Sequence, residues 1–324
     1  MGTNYTNTLD GMLLLNDQNM KDIYPTQVLD DAPVVKAAYA MPASQGGTQH
    51  KYLRRYTAAT VGFRKIGTGV TNTAEVFEDV TVNCEFLDGS FNRDVALALA
   101  YRKGLSAYIE KETLASMKTM FSTLEKALFQ NLSIGGFNGL LQFNDYAVQT
   151  GSQVVNAGGS GGKSVWLLRW AEDGVSIIAG NDGRIDFSWN DDMPTIIEVS
   201  ASGGVYSAYH VSMGGWFALQ VGSTYDAARI CNLDGTSGKT LTDDMIADAI
   251  SRFPASRQPN MIVMNRTALK ELRESRTATN PTGKPADFPA EAFNIPIIPT
   301  DSLPTNEATV VSTTTATTST STSA

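Results

Sequence analysis

Twenty-seven residues from Leu105 to Asn131 pass without a proline or a glycine, and this run limits the possible architectures more than any other stretch of the chain. Leu105, Ile109, Leu114, Met117, Phe121, Leu124 and Leu128 recur near helical spacing, with Glu110, Lys111, Glu112, Lys118, Glu125 and Lys126 between them. An apolar stripe beside a charged face predicts an amphipathic helix. At 1.5 Å per residue the helix would be roughly 40 Å long, enough to cross a whole domain. The fold must therefore offer an apolar surface of that length to cover the stripe. Gly135-Gly136 marks its end.

Upstream, the period changes from helical to alternating. Val80, Val82, Cys84 and Phe86 alternate with Asp79, Thr81, Asn83 and Glu85, which predicts a half-buried strand. Its expected partner is Lys51 to Ile66, with Gly67-Thr68-Gly69 and Thr71-Asn72 supplying the turn. Residues 51–86 are thus read as a long two-stranded hairpin. An isolated hairpin is marginal in water, so one of this length needs support from a sheet, a helix or a neighbouring subunit. Its first strand carries Lys51, Arg54, Arg55, Arg64 and Lys65 with no acid among them. A solvated face explains this simply. The sharper reading is a docking strip for an acidic neighbour.

Between about 150 and 232 the residues favour strands: Ser164–Trp170, Val175–Ile178, Thr195–Val199 and Gly215–Val221. All four tryptophans, Trp166, Trp170, Trp189 and Trp216, fall here. Aromatics in short strands joined by Asn-Asp-Gly turns predict a small antiparallel sheet or an inserted β domain. Helix and strand then alternate. Thr242 is placed to cap a helix beginning Asp243-Asp244, Asn260–Met264 reads as a buried strand, and Asn265 caps a helix over Arg266–Ser275. A polar loop, Thr277–Pro289, precedes strand Asn294–Ile298 and a last one at Ala308–Val311. This part is expected to form an α/β unit.

Residues 1–50 show little periodicity and are read as an arm lying on something else. The Ser/Thr-rich tail 313–324 should not hold a fold alone. The N-terminus has no basic stretch before an apolar block and no run reaches 18 apolar residues, so neither export nor a membrane span is expected. A net charge of −8 argues against a dedicated DNA-coating role, which needs clustered Lys and Arg. Cys84 and Cys231 are too few for a disulfide framework or a thiolate zinc site and are expected as buried small apolar residues.

Chemistry finds little purchase. His50 and His210 lie in unrelated segments, and a structural role is the preferred reading for each. The acidic turns Asp88–Asp94 and Asn181–Asp186 lack the ligand order of a calcium loop. Gly158–Gly162, although Lys163-Ser164 follows it, and Gly67–Gly69 lack the strand and helix context of a phosphate loop. No catalytic, cofactor-binding or metal-binding constellation is visible, and no cofactor is expected.

The order of elements, taken together, resembles one family. A leading arm, a long basic hairpin, a long helix, a β region and a closing α/β unit look like the Hong Kong 97-like α+β fold of tailed-phage major capsid proteins. Trp166–Asp173, Tyr209–Val221 and Ala228–Asp234 resemble a subfamily with an inserted β region, and Phe293–Leu303 resembles the closing strand of the axial domain. The resemblance implies an N-terminal arm (1–50), an extended loop lapping a neighbour (51–86), a peripheral domain with a spine helix (87–150), a β insertion with peripheral-domain strands (151–234), an axial domain (235–312) and a tail (313–324). It also implies a non-enzymatic subunit that assembles in the host cytoplasm into pentamers and hexamers of an icosahedral virion shell. Its partners would be copies of itself, a portal, scaffolding or decoration proteins, and packaged double-stranded DNA met only through weak contacts. Some relatives weld shells with a Lys–Asn isopeptide bond. Lys65 near the hairpin tip invites that idea, but no matching asparagine motif or acidic catalyst accompanies it. An encapsulin-like compartment and a Trp-rich glycan-binding module are the alternative readings.

Overall fold

The computed structural model describes residues 28–44, 47–57, 59–102, 104–130, 136–189, 195–199, 204–280 and 284–312. Residues 1–27 of the expected arm and the whole tail 313–324 lie outside the described residues.

In chain order the elements begin with α1 (Pro33–Ala37), β1 (Ala40–Pro42), β2 (Gln49–Thr57), β3 (Val76–Asn83), β4 (Glu85–Asp88) and β5 (Phe91–Asp94). Helices α2 (Val95–Leu99), α3 (Leu105–Phe129) and α4 (Asn144–Ala147) follow. Next come β6 (Val154–Asn156), β7 (Lys163–Leu168), β8 (Val175–Ala179), β9 (Ile185–Trp189), β10 (Thr195–Val199), β11 (Gly204–Val221) and β12 (Ala227–Leu233). Last are α5 (Asp243–Ser251), β13 (Met261–Met264), α6 (Arg266–Ala278), β14 (Glu291–Ala292) and β15 (Ile295–Pro299). The chain divides into two compact units, the first holding residues up to Asn138 and Trp170–Ser223, the second Gly139–Arg169 and residues from Thr224 on.

The first unit is organised by β11, which at 18 residues is long enough to pair with five strands: β10, β5, β9, β4 and β8. Of its length only Gly215–Val221 is read as a strand from sequence. The glycine before that stretch has a packing consequence. A Cβ on Gly214 would lie 2.2 Å from the ring of Phe86 on the neighbouring strand, so any larger residue there displaces that ring. The predicted long helix is α3, and its stripe is covered: Ile109, Met117, Phe121, Leu124 and Leu128 are buried. Ile109 packs with Ala98 of α2 against Tyr209 and Val211 of β11, and Ser116 ties α3 to the sheet by donating to the Gly89 carbonyl at 2.7 Å.

Two sequence expectations fail in this unit. Residues 28–44 do not hang as an arm, since Val28, Leu29, Ala32, Val34, Val35, Ala38 and Ala40 are buried and β1 pairs in parallel with β8. A five-residue helix and a three-residue strand are too short to display a period. Glu125, grouped with the solvated face of the long helix, is completely buried. Its carboxylate accepts from the backbone N–H groups of Val34 at 2.8 Å and Val35 at 3.2 Å. Ala32, at the N-cap of α1, has no side-chain oxygen to do this.

The second unit is built on a six-stranded sheet of order β14-β15-β13-β7-β12-β6. Helices α5 and α6 cover one face through Ile246, Ala249, Ala268 and Leu272, which pack on Val165, Leu167, Ile230, Ile262 and Met264. Both helices start where expected: Thr242 accepts from Met245 N–H and Asn265 from Ala268 N–H at 2.8 Å. Trp166 alternates to the opposite face, where Tyr146 of α4 meets it edge-on and the Arg229 guanidinium lies 5.4 Å from its ring centre.

The stretch 151–234, expected to hold a β insertion, is shared between the units. β7 and β12 belong to the sheet of the second, β8 to β11 to that of the first. Strand-rich segments that are adjacent in sequence need not pair, and here the chain changes units at Arg169/Trp170 and again at Ser223/Thr224. The second unit is accordingly wider than the 235–312 stretch read from sequence. The strand expected at 308–311 is instead an irregular strap. It is fastened by reciprocal Gly162–Glu307 backbone bonds, by Arg229 to Glu307 at 2.7 Å, and by Asn232 bonding both N–H and C=O of Val310.

Candidate assembly surface

Strands β2 and β3 form a two-stranded antiparallel ladder, running from Gln49 opposite Asn83 to Thr57 opposite Val76. The hairpin is real but its pairing is not the one predicted. β2 ends at Thr57 instead of Ile66, and residues beyond it form an excursion pinned by a single Thr60–Thr73 bridge. Within the excursion Lys65 turns the chain: its carbonyl accepts from Thr68 N–H at 3.1 Å, with Gly67 at φ +82°.

The five basic residues fall into two groups. Lys51, Arg54 and Arg55 lie on β2, whereas Arg64 and Lys65 are exposed at the tip. Lys51 is exposed and Arg54 half-buried; the Arg55 side chain lies outside the described ones. The strip is not purely basic, because Glu78 stands opposite Arg54 and Asp79 opposite Leu53 on β3. Even so, residues 49–83 carry five basic against three acidic side chains, net +2, which leaves −10 on the rest of the chain.

What the charge pattern did not reveal is the apolar content of the tip. Phe63 and Ile66 are as open as in an extended peptide, and Val61 is 85% exposed. Exposed large apolar side chains grouped in this way mark surfaces that meet another body. The signal was present as Val61-Gly-Phe-Arg-Lys-Ile66, an apolar run in a turn-rich stretch with only Val70 as an apolar counterpart close across the turn. At its root the hairpin is anchored by His50, which is 5% exposed, and by Tyr52, whose hydroxyl accepts from Val221 N–H at 3.5 Å.

Elsewhere the titratable residues are structural. Asp226 is held by Arg169 at 3.2 Å and Arg257 at 2.9 Å, and Lys163 is paired with Glu271 in the second core. Cys84 and Cys231 are buried, and desolvation pushes both thiols up to about 11. His210 contacts Asn92 at 2.7 Å on the exposed side of β11. Among the described residues no group of His, Cys, Asp and Glu is disposed to hold a metal, and no helix is long and apolar enough to cross a membrane. Trp166 and Trp170 are buried, which removes two of the aromatics that a sugar-stacking reading required.

The family model for the major capsid protein GP7 matches residues 25–311. The chain belongs to that family. It is therefore a structural shell subunit, and of the readings considered the phage capsid is the one supported. Solved capsid structures share the fold of this capsid protein. The chain of bacteriophage epsilon15 is 19% identical, with a TM-score of 0.59 over 85% of this chain and 88% of that one. The bacteriophage JBD30 capsid chain is 10% identical, with a TM-score of 0.53 over 85% and 92%. The JBD30 capsid decorated with minor capsid protein trimers gives 12% identity and a TM-score of 0.50 over 86% and 92%. A comparison with curated proteins returned no match.

Proposed function

We propose that this capsid protein closes its icosahedral shell by overlap, with the hairpin 49–83 serving as the extended loop of a Hong Kong 97-like fold and lying on a neighbouring copy. The observation that carries this reading is the tip: Phe63 and Ile66 stand fully exposed beside Arg64 and Lys65. Burying such side chains on a neighbour contributes about 1.5–3 kcal/mol each. The same contact repeated around a closed lattice sums through multivalency. Charge acts in the same sense, since a hairpin of net +2 meets neighbours whose other residues sum to −10.

In this reading α3 is the spine helix and residues 28–44 anchor the arm to the first unit. β9, β10 and the outer half of β11 are the β insertion. The second unit is the axial domain, and its 277–289 loop faces the centres of pentamers and hexamers. Assembly takes place in the host cytoplasm with a portal and separate scaffolding or decoration proteins. The acidic wall suits a container for double-stranded DNA that holds its cargo only weakly. Nothing in this role calls for catalysis.

Two variants test the overlap: Phe63→Ser with Ile66→Ser, and charge reversal to Glu at Arg54, Arg55 and Arg64. Particles are counted by electron microscopy and sizing chromatography, with circular dichroism confirming that the subunit is folded. At least about a tenfold loss of particles is expected from either variant, the scale of 1.4 kcal/mol per contact. An undiminished particle yield from both would refute the overlap.

A further inference from the structure

Four segments of the first unit meet on one imidazole at the root of the hairpin, and the hydrogen-bond chain through it admits only one protonation state. Gln220 of β11 donates its amide N–H to the Glu172 carbonyl at 2.8 Å, which turns its Oε1 toward His50 Nε2 at 2.6 Å. A carboxamide oxygen only accepts, so Nε2 carries the hydrogen. His50 Nδ1 must then be the acceptor for Ser44 N–H, 3.0 Å away. The ring is neutral, and both of its nitrogens are used. Ser44 in turn grips the hairpin, with its Oγ accepting from Lys51 N–H at 2.8 Å. Tyr52 stacks on the imidazole, with the ring centres 5.8 Å apart.

A second proton has no place in this arrangement. On Nδ1 it would point an N–H at the N–H of Ser44. The groups packed on the ring are uncharged. β2 presents Tyr52, β3 places Val82 opposite, β11 offers Gln220, and the loop at 172 offers a carbonyl. The charged residues of the ladder are Lys51, Arg54 and Arg55 on β2 and Glu78 and Asp79 on β3, with Arg54 opposite Glu78. Burial holds His50 below the ordinary histidine value, with the Gln220 hydrogen bond opposing it in part. For a group depressed in the folded state, the stabilisation is present above the unfolded value near 6.5 and is lost as pH falls through the folded value.

We propose that His50 is an acid-operated tether: protonation at Nδ1 breaks its bond to Ser44 and loosens the hairpin root from the 43–44 segment, while the Nε2–H bond to Gln220 is kept. This gives the overlapping arm a control. It rests on the shell reading only for its consequence in particles, since release is a property of the subunit.

The test is hydrogen exchange of the full-length chain at Lys51–Leu53 between pH 7.5 and 5.5, expressed as protection relative to the intrinsic rate at each pH. His210 and His50 are the only histidines in the chain, so His210→Asn leaves His50 as the sole imidazole. Protection is expected to fall about tenfold in the wild type and in His210→Asn, and to stay level in His50→Gln. A level curve for His210→Asn overturns the tether even if His50→Gln fails to fold. An equal fall in a folded His50→Gln overturns it as well. Neither result depends on whether particles form, so a failed tether leaves the overlap standing, and a failed overlap leaves the tether standing.

Discussion

Glu125 shows what one side chain does when it leaves the surface. A carboxylate is buried only where hydrogen bonds replace its water, and here the N-terminus of α1 supplies two N–H groups that α1's own N-cap, Ala32, leaves unserved. Sequence could not reveal this, because Glu125 occupies a position where helical periodicity allows either a charged flank or a buried edge. Replacing Glu125 with Ala strands both donors and is expected to destabilise the protein by about 2–4 kcal/mol, read as a lower denaturant midpoint. Glu125→Gln keeps an acceptor and should lose less than half of that. Equal losses for the two variants would show that packing around residue 125, not capping, sets the cost.

At the scale of elements, legibility followed length and local capping. Helix α3 was readable because 25 residues give the period room to repeat, and α5 and α6 because Thr242 and Asn265 announce their first turns. The hairpin was readable as a hairpin but not in its register, since the turn signals around Gly67 lie far beyond the last paired residues, Thr57 and Val76. Residues 28–42 and the strap at 303–312 were illegible for a common reason. Each is held by contacts with distant parts of the chain: β1 by β8, and the strap by Gly162, Arg229 and Asn232. Gly162 makes the strap's dependence testable. It sits at φ +109°, and a Cβ there would lie 2.2 Å from the Leu233 carbonyl oxygen. Gly162→Ala must shift either β12 or the glycine loop that pairs with Glu307. A loss of roughly 2 kcal/mol or more is expected in denaturant unfolding, together with faster hydrogen exchange at Glu307 and Val310. Wild-type stability in this variant would mean that the strap does not depend on the close approach at residue 162.

At the scale of the whole molecule, the basic and acidic groups are separated along the chain: a projecting hairpin of net +2 on a subunit that is otherwise −10. That distribution favours contacts between copies over contacts with nucleic acid, and it bears on how the copies are joined. An amide-forming lysine must give up its proton to a nearby base and be shielded from water. Lys65 is exposed, and residues 59–74 around it contain no Asp or Glu at all. The tip has what a reversible apolar and ionic contact needs, and supplies from its own residues no base for a covalent weld. Particles dissolved in hot detergent with reductant should therefore run as a single species at the 34.8 kDa of the chain. Reductant matters, because denaturation exposes the two free cysteines, which are buried in the folded subunit and could otherwise add disulfide-linked forms. A ladder of multiples that survives reductant and disappears in Lys65→Arg would establish that the shell is welded through this residue after all. A ladder indifferent to Lys65 would place the weld elsewhere on the subunit.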